Sequence, residues 1–348
     1  MTVAESTSTL TGYEPIAQEV RDQYARDGFY VIKNALAETD RAYFENAVDR
    51  VYAEEEAAGR LRPDRSIHVM GWMHRDPRFV ELLTWPTTFP YIWGTLGWNI
   101  YTHHNHIDVN PPKDEPPFWN WHQDGYRQNS DIDMDPRPMF MTKICFALTD
   151  LAEPGYGNTR VIPGSHLNNT LAGRPEKPGD PIIEPEGAIE VCLEPGDAFI
   201  FDRRLWHSRS MNKSARIRKL MFIGYTYRWV RPLDEDVADQ SSEWFQGLPP
   251  LQQQLLGYGP DHASFWGIRQ DGWIDDEIPL RSIQVNIDPD SLFEDRMHEV
   301  DQAAINRAQV QSAIRAVRSG FNVTLNHDNA LVRQVLAEIA SAGDAVDD

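Results

Sequence analysis

The sequence predicts a mainly β fold with flanking helices, built on an antiparallel double sheet or jelly roll. Short apolar runs joined by Gly/Pro turns are typical of strands, and no repeated strand-helix alternation accompanies them. The clearest runs cover residues 140–148, 189–193, 198–201 and 219–227. Helical patterns occur before these runs, and beyond Arg231-Pro232 the composition becomes acidic, Gln-rich and aromatic without strand alternation. We therefore expect one β core flanked by helices.

The length and composition indicate a protein that folds without covalent cross-links. Its 348 residues, 41% of them hydrophobic, can bury a substantial core. Cys145 and Cys192 each lie in an apolar, strand-like run, which favours buried thiols in a reducing compartment over a disulfide. The first residues lack a basic and then apolar segment, and no apolar run approaches the roughly 20 residues that span a bilayer. We expect a cytoplasmic protein.

The formal net charge of -20 argues against a general surface for nucleic acid or anionic membrane. The segment 203–219 is an exception, because it contains seven Lys and Arg residues and no acidic residue. Two interpretations are open. These bases are solvent-facing residues of a strand pair, or they provide a positive field for an anionic cosubstrate beside His207.

The N-terminal part alternates helix and strand. Residues 1–13 are Ser/Thr-rich and predicted to be disordered. The apolar spacing predicts a helix over 14–27, ended by Gly28, and a buried strand over 29–32. A second, charged amphipathic helix is predicted over 39–59, with one side suited to cover a sheet. That side carries Ala47, Val48, Val51 and Tyr52.

Residues 100–110 are predicted to form a strand whose alternation separates two faces. His104, His106 and Asp108 share one face, and Ile107 and Val109 share the other. The run 103–106, His-His-Asn-His, resembles a metal-binding cluster. Consecutive strand residues point to opposite faces, however, which favours satisfied or exposed histidines over a metal site.

Three segments follow from these patterns: a disordered N-terminus (1–13), a core with N-terminal helices (14–232) and a mostly helical C-terminal extension (233–348). Helices are predicted over 292–318 and 327–341. The extension holds too many aromatic residues for a free tail. We expect it to pack on the core, or to form a homodimer contact. Its aromatic residues are Trp244, Phe245, Phe265, Trp266 and Trp273.

A single short motif organises the candidate chemistry. His122 and Asp124 are two residues apart in Trp121-His122-Gln123-Asp124, so on a strand both side chains face the same side. His207 lies 83 residues after Asp124, and Arg218 follows it by 11. Two histidines and one carboxylate are the ligand set of many non-haem Fe(II) oxygenases. A zinc hydrolase with the same three ligands remains an alternative.

Arginine binds a carboxylate in a planar, two-pronged fashion, which suits the distal carboxylate of a keto acid such as 2-oxoglutarate. Arg216 and Arg218 have the same strand parity, so spacing alone allows either to point inward. A solvent-exposed arginine on a strand is the other interpretation for each of them.

Taken in order, the motifs resemble the phytanoyl-CoA dioxygenase family over roughly residues 20–232. The resemblance rests on Trp121-His122-Gln123-Asp124, Ala147-Leu148-Thr149-Asp150, the segment Gly157 to His166, Leu193-Glu194-Pro195-Gly196-Asp197, and His207 with Asn212, Ser214 and Arg218. It implies a double-stranded β-helix (jelly-roll) core that uses Fe(II), 2-oxoglutarate and dioxygen.

The resemblance also implies roles for individual residues. His122, Asp124 and His207 take the iron-ligand positions. Arg218, rather than Arg216, takes the position of the 2-oxoglutarate clamp, and Thr159 lies near the cosubstrate. Arg209 is a departure, because relatives often carry a small residue two positions after the distal histidine.

The implied reaction is hydroxylation of an unactivated C–H bond with formation of succinate and carbon dioxide. Similar halogenases replace the carboxylate ligand with a small residue, so Asp124 favours hydroxylation. Desaturation, epimerisation and ring formation remain open outcomes, and a non-catalytic jelly-roll binding or sensing protein is the alternative from another class. The expected substrate is a small, specialised-metabolite intermediate. Four aromatic residues near the motif are candidates for its pocket or for core packing: Trp119, Trp121, Tyr126 and Trp206.

Overall fold

The computed structural model of the chain describes most of the predicted core and parts of the C-terminal extension. The described residues are 16–96, 100–113, 119–175, 177, 180–231, 239–257, 284–285, 310, 324–325 and 330–341. The N-terminal segment predicted to be disordered lies outside these residues.

A six-stranded antiparallel sheet forms the larger layer of the core, in the order β1-β7-β4-β9-β3-β2. Its strands are β1 (Phe29–Ile32), β2 (Ile67–Met70), β3 (Ile100–Asn110), β4 (Met141–Ala147), β7 (Ala198–Asp202) and β9 (Arg218–Tyr227). The predicted strands over 29–32, 100–110, 140–148, 198–201 and 219–227 are thereby confirmed within one or two residues at their ends.

A three-stranded antiparallel sheet, in the order β6-β5-β8, forms the smaller layer. Its strands are β5 (Thr159–Val161), β6 (Ile189–Glu190) and β8 (His207–Arg209). The run predicted as a strand over 189–193 is shorter than expected, and Leu193 instead makes an isolated bridge with Leu151. Apolar residues from both sheets, including Val161, Phe199 and Phe222, pack in one interior cluster. The predicted jelly-roll core is confirmed.

The N-terminal helices cover the outer face of the large sheet. Helix α1 (Gln18–Asp27) ends at Gly28, whose φ of 80° is a left-handed conformation that glycine adopts without strain. Helix α2 (Glu38–Ala57) buries Ala47, Val48 and Val51, and these residues share one apolar cluster with Ile144 and Ile223 of the sheet. The prediction that this helix covers a sheet is confirmed.

Strand β3 separates two faces as its alternation predicts. Ile107 and Val109 belong to the apolar cluster on the helix-covered side. On the opposite face His106 stacks against Phe222 at a ring-centroid distance of 4.5 Å, and Phe222 belongs to the cluster between the two sheets. His104, His106 and Asp108 therefore face the interior of the jelly roll.

Further helices surround the sheets and continue into the C-terminal extension. They are α3 (Phe89–Leu96), α4 (Tyr126–Asp131), α5 (Glu243–Gln246), α6 (Pro250–Leu255) and α7 (Ala330–Ser341), together with 3-10 helices at Phe79–Thr84 and Ser165–Leu167. Helix α7 matches the helix predicted over 327–341. Apart from Val310, the helix predicted over 292–318 lies outside the described residues.

Part of the extension packs on the core. Phe245 is fully buried, and Leu255 belongs to the large apolar cluster of the helix-covered side. Two short parallel strands, β10 (Gln284–Val285) and β11 (Thr324–Leu325), pair with each other. Phe265, Trp266 and Trp273 lie outside the described residues, and the homodimer contact stays a prediction. None of the helices in the described ranges combines the length and apolarity that crossing a bilayer requires.

Candidate metal centre

The backbone brings the two histidines of the motif side by side. His122 and His207 form an antiparallel bridge in which each N–H donates to the other residue's carbonyl oxygen at 3.0 Å. The N–H of Asp124 donates to the carbonyl oxygen of Arg203 at 2.8 Å. Residues 85 and 79 positions apart in sequence are thereby fixed on one short ladder.

The side chains of His122, Asp124 and His207 meet at one point. His122 Nε2 and His207 Nε2 each lie 3.9 Å from Asp124 Oδ1, and one ligand atom from each residue lies within 4.8 Å of the others. Gln123, between the two ligands of the motif, points elsewhere and donates from Nε2 to the carbonyl oxygen of Asn168 at 3.0 Å. This alternation is the one that the spacing predicts.

Hydrogen bonds orient both imidazoles as metal ligands. Nδ1 of His122 is 2.8 Å from the carbonyl oxygen of Asn120, and Nδ1 of His207 is 2.8 Å from that of Leu205. A carbonyl oxygen only accepts, so each Nδ1 carries the proton and each Nε2 presents a lone pair. Both lone pairs belong to the nitrogens nearest Asp124 Oδ1. The donor set therefore fits a divalent ion held by two nitrogens and one oxygen.

The charges at the centre keep these groups in their ligand forms. Burial lowers the pKa of His207 to about 3, and the neighbouring His122 acts in the same direction. Burial acts to raise the pKa of Asp124, but the charge of Lys143 and the two imidazoles outweigh it and hold this pKa well below its ordinary value. At neutral pH the centre thus offers neutral His207 and an ionised carboxylate.

Lys143 is a buried cation that sequence reasoning missed. It lies in β4 facing the interior, with its Nζ 2.8 Å from Asp124 Oδ2, and it is 4% exposed. One signal was available, because Lys143 is the only charged residue in the apolar run Phe140 to Leu148. A lone charge in a buried strand requires a partner, and here that partner is the carboxylate of the motif.

The centre is open on one side. The side chain of His122 is 55% exposed, whereas those of His207 and Asp124 are 10% and 15% exposed. Two of the three groups are thus shielded from water. A ligand can approach the third from solvent.

Arg218 begins β9 and faces the same interior. It is 3% exposed, and its Nη1 donates to Asn110 Oδ1 at 2.6 Å and lies 3.8 Å from Asp108 Oδ2. Its Nε is buried and has no hydrogen-bond partner among the described residues. Burial lowers the pKa of Arg218 to about 10, against the opposing charge of Asp108. A guanidinium with an unused buried N–H is suited to bind a carboxylate.

Arg216 has the same parity but a different environment. Its side chain is 65% exposed and pairs with Asp150 at the surface. Asn110, Arg209 and Arg218 line one cavity, and Arg209 adds to the positive charge around Arg218. Arg209, the departure from the family pattern, therefore lies beside the buried arginine.

A tight turn gives Arg218 its space. Gly157 has a φ of 82°, and a Cβ atom added there would lie 2.9 Å from Cδ of Arg218. Two residues later, Thr159 is buried in β5 opposite Arg209 of β8. Its parity with the interior residue Val161 directs its side chain inward. The proximity of Thr159 to a cosubstrate stays a prediction.

Most of the basic segment 203–219 is occupied by structural partners. Lys219 Nζ pairs with Glu45 and Asp49 at 2.9 and 2.8 Å. The guanidinium of Arg203 is fully buried and lies 3.7 Å from the ring centroid of Phe140. Arg209 and Arg218 line one cavity, and a positive field there for an anionic cosubstrate stays a prediction. Lys219 and Arg203, which form the contacts described above, stabilise the fold.

The aromatic residues near the motif have structural contacts. Trp121 is buried and packs beneath the guanidinium of Arg160, and Trp206 Nε1 donates to the carbonyl oxygen of Asn168 at 2.9 Å. Trp119 is half-buried. The side chain of Tyr126 lies outside the described residues. Core packing and anchoring therefore account for Trp121 and Trp206.

Comparisons with known proteins find similar dioxygenases. The chain is 26% identical over 151 residues to the dioxygenase olcK of Penicillium canescens, a match covering 42% of this chain and 46% of olcK. It is 27% identical over 238 residues to the ectoine dioxygenase of Stutzerimonas stutzeri, covering 61% of this chain and 78% of that protein. The chain thus spans less than half the length of olcK.

A solved structure is also similar. The non-haem α-ketoglutarate-dependent carbocyclase SnoK from nogalamycin biosynthesis aligns with a TM-score of 0.48 and 20% sequence identity, covering 64% of this chain and 88% of SnoK. The family model described as phytanoyl-CoA dioxygenase (PhyH) matches residues 24–220. Because that model spans more than half of the chain, the protein belongs to the phytanoyl-CoA dioxygenase family, which implies Fe(II), 2-oxoglutarate and dioxygen as its cofactor and cosubstrates.

Proposed function

We propose that the protein is an Fe(II)- and 2-oxoglutarate-dependent dioxygenase that hydroxylates an unactivated C–H bond of a small molecule. His122, Asp124 and His207 hold the iron, and Arg218 binds 2-oxoglutarate. The observation that carries the proposal is the convergence of two unprotonated Nε2 atoms on Asp124 Oδ1, each at 3.9 Å. Facial binding by two histidines and a carboxylate leaves positions open for a bidentate keto acid and dioxygen.

The bound iron and 2-oxoglutarate supply the oxidising chemistry, with succinate and carbon dioxide as coproducts. The chain's own residues supply position and charge. Asn120 and Leu205 hold the imidazoles in the required tautomer through their carbonyl oxygens. Lys143 holds one oxygen of Asp124 at 2.8 Å, which leaves the other oxygen directed at the two Nε2 atoms.

Arg218 provides a buried positive charge for the distal carboxylate of 2-oxoglutarate. Its Nε is unpartnered among the described residues, and Asn110 fixes the guanidinium through Nη1. Arg209 lines the same cavity and contributes a second cation. Thr159, whose side chain faces inward from β5, is assigned to this cosubstrate pocket.

Asp124 supports hydroxylation over halogenation, because its carboxylate occupies the position that a halide ligand would need. The substrate class is a small, polar intermediate of specialised metabolism. Two relatives named as dioxygenases come from Penicillium canescens and Emericella variicolor. A third relative is named ectoine dioxygenase, after a small molecule.

An anaerobic spectrum tests the proposal directly. Fe(II) added with 2-oxoglutarate under anaerobic conditions is expected to produce a weak visible charge-transfer band in the wild type and not in His122→Ala. His74→Ala, which removes an exposed histidine outside the centre, serves as the matched control and should keep the band. No band in the wild type, or an undiminished band in His122→Ala, would refute the iron assignment.

Turnover distinguishes the remaining readings. With a panel of metabolites, succinate formation should require dioxygen, and product mass should increase by one oxygen atom. Loss of hydrogen or an unchanged mass would instead identify desaturation, ring formation or epimerisation by the same centre. Activity without dioxygen together with tightly held zinc would identify a hydrolase.

A further inference from the structure

A second histidine cluster lies at the β2 edge of the large sheet, on the face of β3 that carries His106. His68, His104 and His106 each offer one ring nitrogen, and these atoms lie within 4.8 Å of one another. None of the three belongs to the centre formed by His122, Asp124 and His207. His68 lies in β2, and the other two histidines lie in β3.

Strand pairing assembles this cluster. His104 and His106 are two residues apart and share the interior face of β3. The antiparallel register places His68 opposite Asp108 and Met70 opposite His106, so His68 reaches the same face from the edge strand. Ring centroids are 4.4 Å apart for His68 and His106, and 4.9 Å apart for His104 and His106. Three imidazoles this close would repel one another if all were protonated.

A carboxylate orients one of the three rings. His68 Nδ1 lies 2.7 Å from Asp108 Oδ1. Ionised carboxylates only accept, so Nδ1 carries the proton and Nε2 of His68 keeps a lone pair. Metal-ligating histidines commonly make this second hydrogen bond to a carboxylate, which fixes the tautomer and strengthens the ligand.

His106 has an unmet hydrogen-bonding requirement. It is 7% exposed, and its buried Nδ1 has no hydrogen-bond partner among the described residues. Its Nε2 is 3.8 Å from Asp108 Oδ2, beyond hydrogen-bond length. Leaving such a buried group unsatisfied is destabilising, and a metal ion bound by Nδ1 would satisfy it.

The surrounding charge also suits a cation. Asp108 is buried between the cluster and Arg218, and its Oδ2 lies 3.8 Å from Nη1 of Arg218. Its other oxygen, Oδ1, lies 2.7 Å from Nδ1 of His68. The carboxylate is therefore placed between a buried cation and the histidine cluster.

We propose that His68, His104 and His106 form a second metal site that binds a zinc-class divalent ion, with Asp108 as the residue that positions His68. Imidazole nitrogens suit zinc, and three protein ligands leave a fourth position for water or a substrate oxygen. The bound ion would link the short edge strand β2 to β3. The proposal does not depend on the chemistry assigned to the first centre.

The test uses the full chain with the first centre disabled. In Asp124→Ala/His207→Ala, stripped with a chelator, zinc titration by calorimetry and elemental analysis of the dialysed protein should give one zinc per chain. Adding His68→Gln and His104→Gln should weaken zinc binding by more than about 100-fold and reduce the retained zinc to none. The matched control adds His74→Ala to the same background and should retain one zinc.

Two results would overturn the proposal: no zinc in the Asp124→Ala/His207→Ala protein, or unchanged zinc after the glutamine substitutions. Circular dichroism and thermal unfolding accompany each titration, to show that the variants are folded. Saturating zinc should raise the melting temperature of the background variant and of the His74→Ala control, but not that of the glutamine variant. A single His68→Gln variant provides the same comparison with the smallest change in β2.

Discussion

The two histidine clusters of this protein are assembled in different ways. His122 and His207 come from segments far apart in sequence, joined by a two-residue bridge, with both Nδ1 atoms bound to backbone carbonyl oxygens. His104 and His106 come from one strand and His68 from its neighbour, and a carboxylate orients His68. The first cluster includes a carboxylate among its ligand atoms. In the second cluster, the carboxylate of Asp108 contacts His68 and is not itself one of the three ligand residues.

The difference shows that one fold can hold two histidine clusters with different ligand sets. A 2-His-1-carboxylate set suits Fe(II) and leaves several positions free, whereas three imidazoles suit zinc. The charge of Lys143 acts on Asp124 and also on His106, so this residue is coupled to both clusters. The two clusters share no ligand residue, and substitutions of their ligands should have separable effects.

Loss of a ligand from the first cluster should have the largest effect. Asp124→Ala should reduce oxygen-dependent succinate formation by more than about 100-fold. Mutation of a residue that only hydrogen-bonds to a metal ligand already reduces metal affinity or activity by about 10–100-fold. Asp124→Ala should also increase affinity for chloride, because the carboxylate position becomes vacant. His104→Ala is the paired variant from the second cluster and should retain the charge-transfer band. An active Asp124→Ala protein would show that Asp124 is not a ligand.

Removal of the buried cation should have the next largest effect. Lys143→Met leaves Asp124 without its ion-pair partner, and breaking a buried pair costs about 3–5 kcal/mol. We expect urea unfolding of the metal-free variant to show a loss of about 3 kcal/mol. Mn(II), as a redox-inert occupant of the first cluster, should restore more stability to this variant than to the wild type. If the loss in free energy of unfolding were equal with and without Mn(II), Lys143 would contribute only packing.

The arginine pair should separate by a smaller factor. Charge-assisted hydrogen bonds contribute about 1.5–3 kcal/mol, so Arg218→Ala should raise the KM for 2-oxoglutarate by about 10–100-fold. Arg216→Ala removes only an exposed ion pair and should change this KM by less than about two-fold. Initial rates of succinate formation at varied 2-oxoglutarate measure both. A larger increase in KM for Arg216→Ala than for Arg218→Ala would identify Arg216 as the residue that binds 2-oxoglutarate.

The smallest expected effect concerns the carboxylate behind the second cluster. Asp108→Asn keeps the size of the side chain but removes its charge, and should weaken zinc binding at the second cluster about 10-fold. Calorimetry in the Asp124→Ala/His207→Ala background measures this change. Zinc affinity that is unaffected by Asp108→Asn would show that His68 does not require this orientation.

Much of the fold follows from local pattern. The alternation of apolar and polar residues predicted the strands that carry the core, and Gly28 marked the end of α1. The parity of His104, His106 and Asp108 on β3 was also predictable. The short length of β6 was not, because Leu193 pairs with Leu151, a residue far earlier in the chain, and local pattern does not display such a contact.

The candidate sites were predictable to different extents. The motif gave His122 and Asp124 a common face, and the ordered family motifs selected His207 and Arg218. Lys143 and Asn110 were missed, although Lys143 stands out as a lone charge in an apolar run. Local pattern in β3 disfavours a metal site at residues 103–106, because consecutive residues point to opposite faces, whereas His68 comes from the neighbouring strand.

The sequence by itself determined which residues share a face, because side-chain direction along a strand depends only on local backbone geometry. It also determined the net charge, the family and the identity of the candidate iron ligands. Tertiary structure alone decided which faces meet. The His122–His207 bridge, the Lys143–Asp124 pair, the burial of Arg218 beside Asn110 and the arrival of His68 from β2 all depend on strand order and register, which join residues distant in the chain.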